Sequence, residues 1–113
     1  MTLNNLFEKV DHRKDSLWVL KDAINVVAYG KFSKAVSCWL QGIGYSYNGN
    51  GCDFAEKGDE FDGVCCYYNE NYEVVISEEV FFEHLKIAIQ RYIELNPDKK
   101  DELEQIVSQS TLI

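Results

Sequence analysis

The chain has no run approaching the roughly 20 consecutive apolar residues that a membrane-spanning helix requires. Its N-terminus lacks the basic flank and hydrophobic stretch of a secretory signal, so the expected compartment is the cytosol. Histidine is scarce, with His12 and His84 alone, both expected as solvated surface residues. No potential ligands pair at the close spacing, about two to four residues, of a zinc site, so no metal is expected. A phosphate loop is missing as well, because Gly42, Gly44, Gly49 and Gly51 lack the strand-to-helix context such loops need. No nucleophile stands beside a base and no cofactor cradle is visible, which points away from an enzyme and from any cofactor.

Bases are missing from one stretch above all. Gly51 to Glu79 holds a single base, Lys57, against nine acids, Asp53, Glu56, Asp59, Glu60, Asp62, Glu70, Glu73, Glu78 and Glu79. The local net charge of −8 equals that of the whole chain, so the remainder is close to neutral. A concentrated acidic surface repels nucleic acid and speeds encounter with basic proteins. A calcium loop would use such carboxylates, but their spacing does not match its twelve-residue pattern with fixed glycine and terminal glutamate.

What is present suits one packed domain over residues 1–113. That length falls in the single-domain range, and 46% hydrophobic residues supply enough apolar surface to offset chain entropy. Four cysteines, Cys38, Cys52, Cys65 and Cys66, are expected as reduced thiols packed like small hydrophobes. Cys65 or Cys66 as the nucleophile of a small thiol hydrolase is a rival reading that needs a base nearby.

Hydrophobic periodicity predicts the elements. Leu3, Leu6, Phe7 and Val10 at helical spacing behind Thr2 predict a short N-terminal helix, and Asp11 to Asp15 a turn. A second helix starts at Asp15 or Ser16 and carries Leu17, Leu20, Ile24 and Val27 to a stop at Gly30. A third spans Phe32 to Leu40 and ends at Gly42 and Gly44. Gly44 to Glu60 is turn-rich and acidic, and reads as an exposed connection with one short strand around Tyr45 or Cys52. Alternation then returns in Phe61 to Tyr68 and again in Tyr72 to Ile76, joined by Asn69, Glu70 and Asn71, as in an antiparallel hairpin. Ser77 caps the next helix, with Glu78 and Glu79 at the positive end of its dipole and Ile76 stapled to Phe81. Asn96 and Pro97 break it and start a last helix anchored by Leu103, Ile106 and Val107. The fold class is therefore α+β, a small antiparallel sheet with N-terminal helices and two C-terminal helices packed around it.

The candidate functional residues are the acids Asp53, Glu56, Asp59, Glu60 and Asp62 with the tyrosines beside them, Tyr45, Tyr47, Tyr67 and Tyr68. Tyrosine offers a large rigid contact with a polar tip and is common at binding hot spots. Acid flanked by tyrosine fits a protein-binding surface for a basic partner better than a catalytic cleft. An adaptor or regulatory domain for some basic protein would present the same surface.

Three motifs narrow that reading. An acid before F-x-G-V on a strand (Phe61, Gly63, Val64), the V-V-I-S-E-E entry to a helix (Val74 to Glu79) and an aromatic helix ending R-Y-I-x-x-x-P (Arg91 to Pro97) all fall within Gly58 to Ile106. This stretch resembles the C-terminal half of immunity proteins from bacterial contact-dependent growth inhibition (CDI) systems, in the group that neutralises ribonuclease toxins. The resemblance implies a small cytosolic α+β protein that binds the C-terminal nuclease domain of one cognate secreted toxin and blocks it. A ribonuclease holds phosphates and is basic around its active site, so the charge argument and the resemblance agree.

Overall fold

Helices and strands are segregated along the chain as expected for an α+β fold in the computed structural model, which describes residues 5–110. The order is α1 (Trp18–Val27), α2 (Phe32–Leu40), β1 (Tyr45–Tyr47), β2 (Asn50–Phe54), β3 (Val64–Tyr68), β4 (Tyr72–Ile76), α3 (Glu78–Leu95), a 3-10 turn (Pro97–Lys99) and α4 (Lys100–Ser108). The four strands form one antiparallel sheet in the order β1-β2-β3-β4. Each strand pairs with its neighbour in sequence.

One face of the sheet is covered and the other is open. Val64, Cys66, Cys52 and Ile76 point inward and are buried, and α1 packs across all four strands. Phe81 and Phe82 of α3 meet Phe54 of β2 at ring separations of 5.6 and 5.8 Å. Trp39 is fully buried, and its indole N–H donates to the Cys52 carbonyl at 3.1 Å, tying α2 to β2. A buried indole otherwise lacks the partner its N–H requires. Leu103 brings α4 into the same core.

Several boundaries follow local chemistry. The Ser77 hydroxyl accepts from the Val80 N–H at 3.1 Å, the expected cap of α3. α2 closes on Gly42 at φ +73°, where the Ile43 N–H reaches the Cys38 carbonyl and the Gly42 N–H the Trp39 carbonyl, a Schellman ending. Asp11 to Asp15 turns as expected, with the Asp15 N–H on the Asp11 carbonyl at 2.8 Å.

Four expectations are corrected. The N-terminal helix is absent from residues 5–10; Thr2 and Leu3 lie outside the described residues. Asn25 of α1, buried, accepts from the Phe7 N–H and donates to the Phe7 carbonyl, each at 2.9 Å, and so captures the backbone groups a helix would have used. Gly44 to Glu60 contains two strands instead of one, because Asn48 and Gly49 both take positive φ, 50° and 77°, and close β1 onto β2 as a tight hairpin. The third strand starts at Val64 and not at Phe61, since Gly63 at φ +94° turns the chain into it. Asn96 starts no helix with its side chain; its amide donates back to the Tyr92 carbonyl at 3.1 Å and finishes α3.

Candidate functional site

Register decides which candidate residues share a surface. Ser46 pairs with Gly51, Gly51 with Tyr67 and Tyr67 with Glu73; in the next row Asp53 pairs with Cys65 and Cys65 with Val75. These residues face away from the helices and form the open face. Paired positions in a sheet share a side, so Tyr45, Tyr47 and Tyr68, which pair with Cys52, Asn50 and Tyr72, are on the covered side.

The covered side uses its tyrosines for packing. The Tyr45 ring meets Trp39 edge-on at 6.3 Å, and the Tyr47 ring lies over Gly30, where a Cβ would come within 3.0 Å of it. Tyr68 joins Trp18 and Tyr72 at the hairpin end, with ring separations of 6.0 Å from Trp18 and 6.5 Å from Tyr72. Of the four candidate tyrosines, Tyr67 alone shares the open face with Asp53.

There the polar groups are organised. The Tyr67 hydroxyl interacts with both the Asp53 carboxylate and the Ser46 hydroxyl. Gly51, the register partner of both Ser46 and Tyr67, is buried, with Ser46 Cα and Cβ lying where a side chain of its own would be. Residue Asp53 is exposed as a whole while its carboxylate lies back against the sheet, over Gly44. Partial burial raises the Asp53 pKa above the ordinary carboxylate value, and the Tyr67 hydrogen bond opposes that rise.

Glu56, Asp59, Glu60 and Asp62 stand exposed on the loop joining β2 to β3. The Asp59 carboxylate accepts from the Glu56 N–H at 2.7 Å, which shapes the loop tip. Where the loop meets the start of α3, Ala55, Asp62, Gly63, Val75, Ser77 and Glu78 line a shallow concavity. Among the described residues, every ion pair takes its acid from outside Gly51 to Glu79: Glu8, Asp15, Asp22, Glu94, Glu102 and Glu104. The acidic stretch has no cationic partner among the described residues.

The thiols and histidines sit apart from any catalytic geometry. Cys52 and Cys66 are buried opposite each other, and burial pushes the Cys52 thiol well up. Cys65 donates to Glu73 at 3.7 Å, and its partial burial together with that carboxylate pushes its pKa up to about 11. A thiol so held is a poor nucleophile at neutral pH. His12 is exposed as expected, pairing with Asp22 at 2.6 Å and stacking on Trp18, whereas His84 is half-buried and its Nδ1 bonds the Val80 carbonyl at 2.8 Å. Ser46, Glu73 and Val75 belong to the open face without being among the candidate residues; Glu73 is visible in the sequence only as one acid of the stretch, and strand parity places all three once the register is known.

Residues 16–107 match the family model described as CDI immunity protein, a span that takes in every strand and helix of the described residues save the last residue of α4. A curated defensin-like protein of Arabidopsis thaliana, number 62 of its series, is 52% identical over 25 residues, or 22% of this chain and 33% of that protein. The chain thus spans about a third of the length of that curated relative, too little to indicate a shared family.

Proposed function

The chain belongs to the CDI immunity protein family, whose role is to bind and neutralise a cognate toxin without catalysis, and on that premise we propose that its acidic end is the toxin-binding surface. The partner in this reading is the C-terminal nuclease domain of a secreted toxin, basic where it holds RNA, and the encounter takes place in the cytoplasm. Asp53, Glu56, Asp59, Glu60 and Asp62 steer that domain and accept charge-assisted hydrogen bonds from its lysine, arginine or histidine side chains. Tyr67 supplies a packed contact on the open face, and Tyr45, Tyr47 and Tyr68 support the sheet from behind or contact the toxin at the hairpin edge. With these acids seated on the active-site surface, the toxin's phosphate sites are filled by carboxylates.

The observation that carries this reading is the unpaired acidic stretch. Elsewhere six of the ten acids are in ion pairs, yet here nine acids stand without one internal ion pair among the described residues. Such a surface gains most from a partner that brings the cations. The test is a chain with Glu56, Asp59 and Glu60 changed together to lysine, measured for binding to the C-terminal domain of the toxin encoded beside its gene. Association should slow at least about tenfold at low salt and converge with the parent at high salt. Equal association rates at both salt concentrations would refute the surface.

A further inference from the structure

On the open face, the acids differ in how they are held. The loop carboxylates are solvated, whereas the Asp53 carboxylate is drawn back over Gly44 and interacts with the Tyr67 hydroxyl, which also meets Ser46. A solubilising charge has no need of such an arrangement, since a free side chain in water serves that purpose better. Preorganisation does serve binding, because a carboxylate already held in place loses little freedom when a cation arrives. Beside it the Tyr67 ring, the part-buried Cys65 and Val75, 47% exposed, make an apolar floor, with Glu73 at its far side.

We infer that this face seats one arginine-bearing segment of the cognate toxin, with the guanidinium on the Asp53 carboxylate and its stem along Tyr67 and Val75. The inference rests on the toxin-binding reading above and deepens it by naming an anchor within that surface. Arginine fits better than lysine for two reasons. Its planar fork matches a fixed carboxylate, and its weak hydration lets it stack against a tyrosine ring. A second copy of this chain is disfavoured as occupant, because two such faces would set Asp53 and Glu73 of one against those of the other, with both acidic loops alongside.

In this arrangement Asp53 contacts the partner and Tyr67 is a positioning residue. Asp53→Asn should weaken binding about 30-fold or more, chiefly through faster dissociation, as when a buried charge partner is removed. Tyr67→Phe should weaken it less, and should have little further effect once Asp53 is already Asn; a merely structural tyrosine would act additively. Alanine replacement of the toxin's arginines in turn should reveal one whose effect largely disappears on the Asp53→Asn background. Circular dichroism melts of both variants keep folding separate from binding. Dissociation within twofold of the parent for folded Asp53→Asn, additive effects of the two variants, no coupled arginine, or dimerisation of the free chain through this face in sedimentation would each overturn the inference. Binding by the parent chain and by the loop-reversed variant is measured first, so failure of the wider reading is distinguished from failure of the anchor.

Discussion

Asn50 joins the two hairpin turns, and replacing it with aspartate tests that role at nearly constant shape. The side chain is 2% exposed; its oxygen accepts from the Asn69 N–H at 2.9 Å, and its nitrogen donates to the carbonyls of Asn48 at 2.8 Å and Tyr47 at 3.3 Å. Asn50→Asp keeps the acceptor but turns the donor into an oxygen facing two carbonyl oxygens. Two lost hydrogen bonds cost about 1 kcal/mol each, and a buried carboxylate without a cation adds about 1 to 2 more. The expected loss at pH 7 is therefore about 3 to 4 kcal/mol, a large part of the roughly 5 to 15 kcal/mol that stabilises an ordinary domain. Such burial raises the folded-state pKa of the introduced acid above its unfolded value of about 3.9. The penalty is then full above the folded pKa and fades as pH falls toward the unfolded one, where the neutral acid can also donate one hydrogen bond. Urea unfolding followed by tryptophan fluorescence should show the deficit shrinking to about 1 kcal/mol near pH 4. A deficit equal at both pH values, or below about 1 kcal/mol at pH 7, would refute the account of a buried, donor-dependent Asn50.

Three further outcomes are expected. Gly51→Ala places a Cβ against the Tyr45 carbonyl oxygen and 2.7 Å from Ser46 Cα, so it should destabilise by about 2 kcal/mol or more in a thermal melt, with β1 detaching first. Ser77→Ala removes the acceptor for the Val80 N–H and should lower stability by about 1 kcal/mol in chemical denaturation. Cys65, with its pKa near 11, should react with iodoacetamide at pH 7.5 at least about tenfold more slowly than a free cysteine in peptide mapping; a rate like that of free thiol would contradict the Glu73 contact.

Much of the fold was legible because its signals are local. Helices α1, α2 and α3 follow from apolar spacing and from punctuation at Gly42 and Ser77, and the second hairpin follows from alternation around Asn69 to Asn71. The missing elements depended on distant partners. Leu6 and Phe7 carry helical spacing, but the decisive contact comes from Asn25, 18 residues beyond Phe7. Asn48-Gly49 did announce a hairpin, but β1 spans only three residues, too short for alternation to be distinct. The acids of the candidate surface could be read from composition, whereas the division of its tyrosines could not. Tyr67 and Tyr68 are adjacent in sequence and face opposite ways, and only the packing of α1 fixes which way is in.

The unpaired acids also act on the chain when it is alone. Like charges crowded on the β2–β3 loop and the strands beside it repel one another, so the free protein folds against a force that a partner's cations would relieve. Screening ions should therefore raise the melting temperature of the free protein while loosening its complex, two responses to one variable with opposite signs. In dilute buffer the solitary chain is at its least comfortable and its attraction for a basic surface is at its greatest.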